Sequence, residues 1–250
     1  MRSMALATSL ALLLLTGNLA AKEIRCNINS DYDFHLTPKY VILTRDSGVP
    51  KAIVMRQGQL FVDDRWVTLS AADHKRVAAY EREARAVMPL AQQIGRDAAH
   101  IAFTTLGEVA AGFSSDPAAT RKKLAQARVQ LDARLARSVT PTNFNGRDLG
   151  QGIGEAVTEL LPSLIGDIVG GAVRAAFSGD ATRLERMENI DKDIEARIAP
   201  QAKALEHRAE ALCLRMQALD RIEDGLDYRL PGGSRLDLMR VEADTRHAQD

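Results

Sequence analysis

The sequence predicts an α+β fold, mostly helical: a small N-terminal antiparallel β meander followed by a bundle of long helices. Three observations carry this reading. Apolar residues alternate with period two from Ile24 to Leu69. At "LSAADHKRVAAY" the spacing switches to three and four, and it stays helical through most of the remaining chain. Aromatic residues make up only 4% of the chain while alanine is abundant, a composition that favours helices.

The first 21 residues read as a secretory signal peptide. Arg2 gives the positive start, Leu6–Leu15 the apolar run, and Ala20 and Ala21 the small residues at a cleavage point. The run is shorter than the ~20 apolar residues of a spanning helix. An uncleaved anchor is the alternative. Cleavage leaves about 230 residues and makes the expected location periplasmic. That length can bury one sizeable core. The mature chain carries 32 basic and 33 acidic residues. Such a balance argues against specific nucleic-acid binding, which usually needs a strongly basic domain.

Residues 22–70 form the β module. The runs "YVILTR", "KAIVMR", "QLFVDD" and "RWVTLS" are short, β-branched and separated by turn material. Trp66 reads as a packing residue, and the Asp63–Asp64 pair as a solvated turn. Ser70 then caps a helix over 71–88, with Asp73 placed as in a capping box. Pro89 predicts a kink or break near Met88, and a second helix over 90–114. Asp116 caps a third helix, 116–139, with Pro117 in its first turn. Its basic face reads as solvated, or as the complement of an acidic C-terminal block.

"TPTNFNGRDLGQGIGEAV" reads as a loop. It lacks both the spacing of a calcium loop and a dinucleotide fingerprint, because Glu155 stands where a third glycine belongs after Gly150 and Gly152. The next helix, 152–177, is the most hydrophobic part of the mature chain. Its charges and Pro162 favour a core helix that Gly166 and Gly170 let approach a neighbour closely. Two helices, 180–199 and 200–225, divided at Pro200, are predicted to follow. Residues 227–250 are expected to form a short hairpin or a frayed tail.

Cys26 and Cys213 are the two cysteines. In an exported chain an even count suggests a bridge between them. Separate thiols, or redox and metal roles, are the alternatives, although no C-x-x-C and no paired histidines occur. No G-x-S-x-G, H-E-x-x-H, P-loop or S-x-x-K motif is present. No catalytic residue, cofactor site or metal site is therefore assigned. At "CNINSDYDFHLTPKYVIL" and "MRQGQLFVDDRWVTLSAADHKRVAAYERE" the chain resembles the YggN-like family of uncharacterised bacterial exported proteins. The resemblance is strongest over 26–113. It implies export and this architecture, and transfers no activity. The reading is a non-enzymatic envelope protein, a binding or assembly factor acting on another envelope protein. The alternative is a carrier of a lipid-like ligand in a cleft lined by Ile153, Leu160, Leu164 and Ile168. A hydrolase without a recognisable motif is the third reading. Oligomeric state is not encoded in these patterns.

Overall fold

A computed structural model of the chain describes residues 23–114, 116–178 and 181–246. The leader expected at 1–21 lies outside the described residues. The chain runs β1 (Glu23–Asn29), β2 (Asp33–Leu36), β3 (Val41–Thr44), β4 (Ala52–Arg56), β5 (Gln59–Val62) and β6 (Arg65–Trp66). Helices α1 (Ala71–Ala86), α2 (Met88–Phe113) and α3 (Pro117–Ser138) follow. Strand β7 (Phe144–Asn145), helices α4 (Gly146–Ser178) and α5 (Ala181–Asp224), and strand β8 (Arg240–Arg246) complete it. This is the α+β, mostly helical architecture.

The meander forms an antiparallel sheet in the order β6-β5-β4-β3-β2-β7. Alternation along its strands turns Val41, Leu43, Ile53, Met55, Leu60 and Val62 inward, where each is buried. The tight β4–β5 turn places Gln57 and Gly58 at φ 51° and 79°, the left-handed pair of a type I′ hairpin. Helix α1 covers the inner face with Val77, Tyr80 and Ala84. Asp63, which also has positive φ, is more than solvated: its Oδ1 accepts from the amides of Lys51 and Ala52 at 2.6 and 3.1 Å. Trp66 lies on the edge strand, half-exposed, with its ring edge-on to Phe61.

The structure differs from the sequence reading at four joints. Strand β1 does not join the meander; it pairs along its whole length with β8, Cys26 opposite Ala243. The expected tail is thus a strand, and only the small bridge between Arg229 and Arg235 resembles the hairpin. Helix α4 begins at Gly146, six residues before the expected start, because β7 pairs with β2 and Asn145 Oδ1 then caps the amide of Asp148. Helix α5 passes through Pro200 unbroken. Its two halves are held on α2 by Arg197–Glu108 at 3.0 Å and Arg208–Asp97 at 2.6 Å, one pair on each side of the proline. Finally, α3 packs on α2 and α4, and among the described residues its basic face pairs with α4, Lys123 with Asp167 at 3.7 Å, and makes no ion pair with the acidic α5 block.

The break expected near Met88 falls at Val87, and Pro89 occupies the first turn of α2 where its missing N–H costs nothing. Ser70 and Asp116 cap α1 and α3, each accepting an amide at 3.0 Å. The core gathers the inner sheet face, α1, the C-terminal end of α5 and Leu226, Leu236, Leu238 and Met239 of the following segment.

Candidate functional site

Several buried polar groups have structural work. Glu81 accepts from the amides of Gln57 and Gly58 at 3.0 and 2.8 Å, tying α1 to the β4–β5 turn. Asp73 does not return to Ser70 as a capping box would. It accepts from the amides of Asp227 and Tyr228, both at 3.0 Å, and from Arg76 at 2.8 Å. Burial pushes its carboxyl up, but those amides and Arg76 together outweigh burial and hold it below the ordinary carboxylate range. Glu223 is equally buried, with no hydrogen bond of normal geometry to either oxygen. Burial, then the charges of Asp224, Asp237 and Asp220, push it up to about 8. The Leu238 amide favours the ionised form but does not close a normal bond. The hydroxyl of Tyr80, buried and unbonded, is pushed up by the same burial and by Glu223.

Cys26 and Cys213 form a disulfide, with Cα atoms 5.7 Å apart and 187 residues between them in sequence. Cys213 is 1% exposed. The bond fastens the β1–β8 ribbon to α5. Among the described residues no three His, Cys, Asp or Glu side chains converge to hold a metal ion.

A polar cleft of about 440 Å³ opens between the C-terminal end of α3, β7 and the first turns of α4. Its walls are fixed. Gln92 of α2 donates to the carbonyls of Leu135 and Val139, closing the end of α3. Arg147 ties α4 to Asp33 of β2 and to Asp46 of the β3–β4 turn. Arg134, Arg137, Asn143, Asp148, Gly152 and Glu155 are among its lining. A methyl group on Gly152 would stand 1.4 Å from Nη1 of Arg134, so the guanidinium occupies the notch that the glycine leaves. In sequence, Gly152 read only as part of a failed glycine motif.

The second feature is the outer face of α4. Ile165, Val169, Val173 and Phe177, spaced by four, are 56%, 55%, 52% and 89% exposed. A Cβ on Gly166 or Gly170 would meet nothing within 4 Å. The close helix approach expected at these glycines is therefore not made within the described residues. Of the apolar residues expected to line a ligand cleft, Leu164 is buried and Ile153 half-buried. The side chains of Leu160 and Ile168 lie outside the described residues.

Residues 26–239 match the family described as "Protein of unknown function (DUF2884)". The chain belongs to this family. Both cysteines, the polar cleft and the whole of α4 fall inside the matched span, while β8 begins just beyond it. No curated protein and no solved structure matches the chain.

Proposed function

We propose that this chain is a non-enzymatic binding or assembly factor of the cell envelope, acting after export and through the outer face of α4. One observation carries the reading. Four large apolar side chains share one face of a 33-residue helix and are each at least half exposed. Isolated surface hydrophobics are ordinary, whereas a contiguous stripe is a site of association. The occupant is an apolar helix of another envelope protein. The side chain-free surface at Gly166 and Gly170 lets its backbone come close, and no charge interrupts Ile165, Val169, Val173 and Phe177. Export is supported by the leader-like first residues and by the disulfide. The YggN-like resemblance points the same way.

A photo-crosslinking residue at Val169 tests this in growing cells. A discrete adduct with one envelope protein is expected, and Val173→Lys should abolish it while leaving the melting temperature within about 1 °C, as surface substitutions do. A crosslinker that labels no protein, or labelling indifferent to Val173→Lys, overturns the proposal. Recovery of a co-purifying lipid by extraction and mass spectrometry would instead favour the apolar-ligand carrier.

A further inference from the structure

We infer that the cleft between α3 and α4 is a binding site for a small zwitterion, a free α-amino acid or the termini of a short peptide. This rests on the arginine pair and not on the α4 outer face, so the two readings stand or fall separately. The cleft's volume, about 440 Å³, lies at the small end of the range of ligand sites, roughly 300–1,000 Å³.

The charges of the lining select the ligand. Arg134 and Arg137 bring two guanidinium groups to the cleft, and Asp148 and Glu155 bring two carboxyl groups. Each acid already has a neutral amide partner: Asn145 donates to Asp148 at 2.7 Å, and Gln151 to Glu155 at 3.0 Å. The arginines have no such partner. Neither guanidinium makes a hydrogen bond or ion pair among the described residues, although other basic side chains of α3 do, as Arg128 with Asp132 and Lys123 with Asp167. Arg134 is moreover half-buried. No nitrogen of Arg134 is among the fully buried unpaired atoms, so its N–H groups are open to the water of the cleft and have no protein acceptor among the described residues. The fold holds it there, and Gly152 makes room for it.

A carboxylate satisfies the planar fork of an arginine through two parallel hydrogen bonds. A ligand bearing only negative charge would meet Asp148 and Glu155 as well, and like charges repel. An ammonium group on the same ligand turns those two acids into partners. Asn143, whose side-chain nitrogen donates to the carbonyl of Arg137, also lines the cleft. The lining is thus matched to a molecule with both charges, not to phosphate.

The test is calorimetric titration of the full-length folded protein, bridge intact, with free amino acids, with dialanine, and with acetate, methylamine and inorganic phosphate as controls. Saturable binding of one or more amino acids or of dialanine, at least tenfold tighter than any control, is expected. Amino acids against dialanine distinguish the free ligand from peptide termini. Gly152→Ala should weaken binding at least tenfold by displacing Arg134, while alanine's better helix propensity keeps the melting temperature from falling. Arg137→Gln should weaken it comparably. Should Gly152→Ala fail to fold, Arg134→Gln reads the same contact. The inference is overturned by no saturable binding of any zwitterion, by phosphate binding as tightly as they do, or by affinity unchanged in these variants.

Discussion

Asp73 and Glu223 are each 2% exposed, yet they titrate in opposite directions. Asp73 has two amides and an arginine around it, and its ionised form is the stabilised one. Glu223 has no normal hydrogen bond and faces Asp220, Asp224 and Asp237, so its neutral form is favoured, up to about pH 8. The signs follow from linkage. A depressed carboxyl contributes stability above its unfolded value that is lost as pH falls through the folded one; this is Asp73. A raised carboxyl binds its proton more tightly in the folded state, so stability declines as pH rises from about 4.5 to about 8 and then levels; this is Glu223. The slope in that window is about 1.4 kcal/mol per pH unit. Melting temperature should therefore fall between pH 5 and pH 8 in the wild type. Glu223→Gln should flatten the profile and be the more stable protein at pH 8 by a few kcal/mol. A variant less stable than wild type at pH 8 would show that the ionised carboxylate has a favourable role.

At the scale of elements, α4 is where sequence and structure part most. Its hydrophobicity reads as a core helix, and Leu164 does lie in the interior. Yet Ile165, Val169 and Val173 lie outside, because α2 and α3 cover only one side of the helix. Hydrophobicity is visible in a sequence; what covers it is not. Gly166 and Gly170 sharpen the point. In an exposed helix glycine costs about 1 kcal/mol relative to alanine, and here a Cβ would meet nothing. Gly166→Ala with Gly170→Ala should raise stability by up to about 2 kcal/mol, read in urea denaturation. If the face receives a helix at close range, the same pair should weaken the Val169 crosslink. Gain in both would mean that the glycines serve no contact. The capping residues Ser70 and Asp116, the proline at 89 and the period-two strands were legible, because each acts on its own neighbours. The start of α4 was not, since it depends on β7 meeting β2, more than a hundred residues away in sequence.

Over the whole molecule the same contrast holds between local and distant encoding. The pairing of β1 with β8 joins segments more than two hundred residues apart; Ile24, Cys26 and Ile28 alternate as strand residues do, but that alternation does not name β8 as the partner. The polar cleft likewise needed Arg134 and Gly152 side by side, which no spacing announces. The disulfide is the exception, since a chain with two cysteines has one intramolecular pairing open to it. Its role follows from where it sits. The meander, α1 and the end of α5 share one core, while among the described residues β1 pairs with β8 alone. Bond and ribbon together therefore hold both ends of the described chain onto α5. Closing a loop across 187 residues removes denatured-state entropy equivalent to about 5 kcal/mol on the chain-entropy model. Measured bridges often give less, so about 3–5 kcal/mol is expected from Cys26→Ala with Cys213→Ala. In a chain of this size that corresponds to a fall in melting temperature of roughly 6–20 °C. The loss should not be uniform. Hydrogen exchange of the β1 and β8 amides should accelerate first, while the β3–β4–β5 amides, whose core the bond does not touch, keep their protection relative to global unfolding. Uniform acceleration across both sheets would mean that the bridge acts only through the denatured chain. An unchanged melting temperature would mean that the β1–β8 pairing and its packing on α5, and not the bond, hold the ribbon in place.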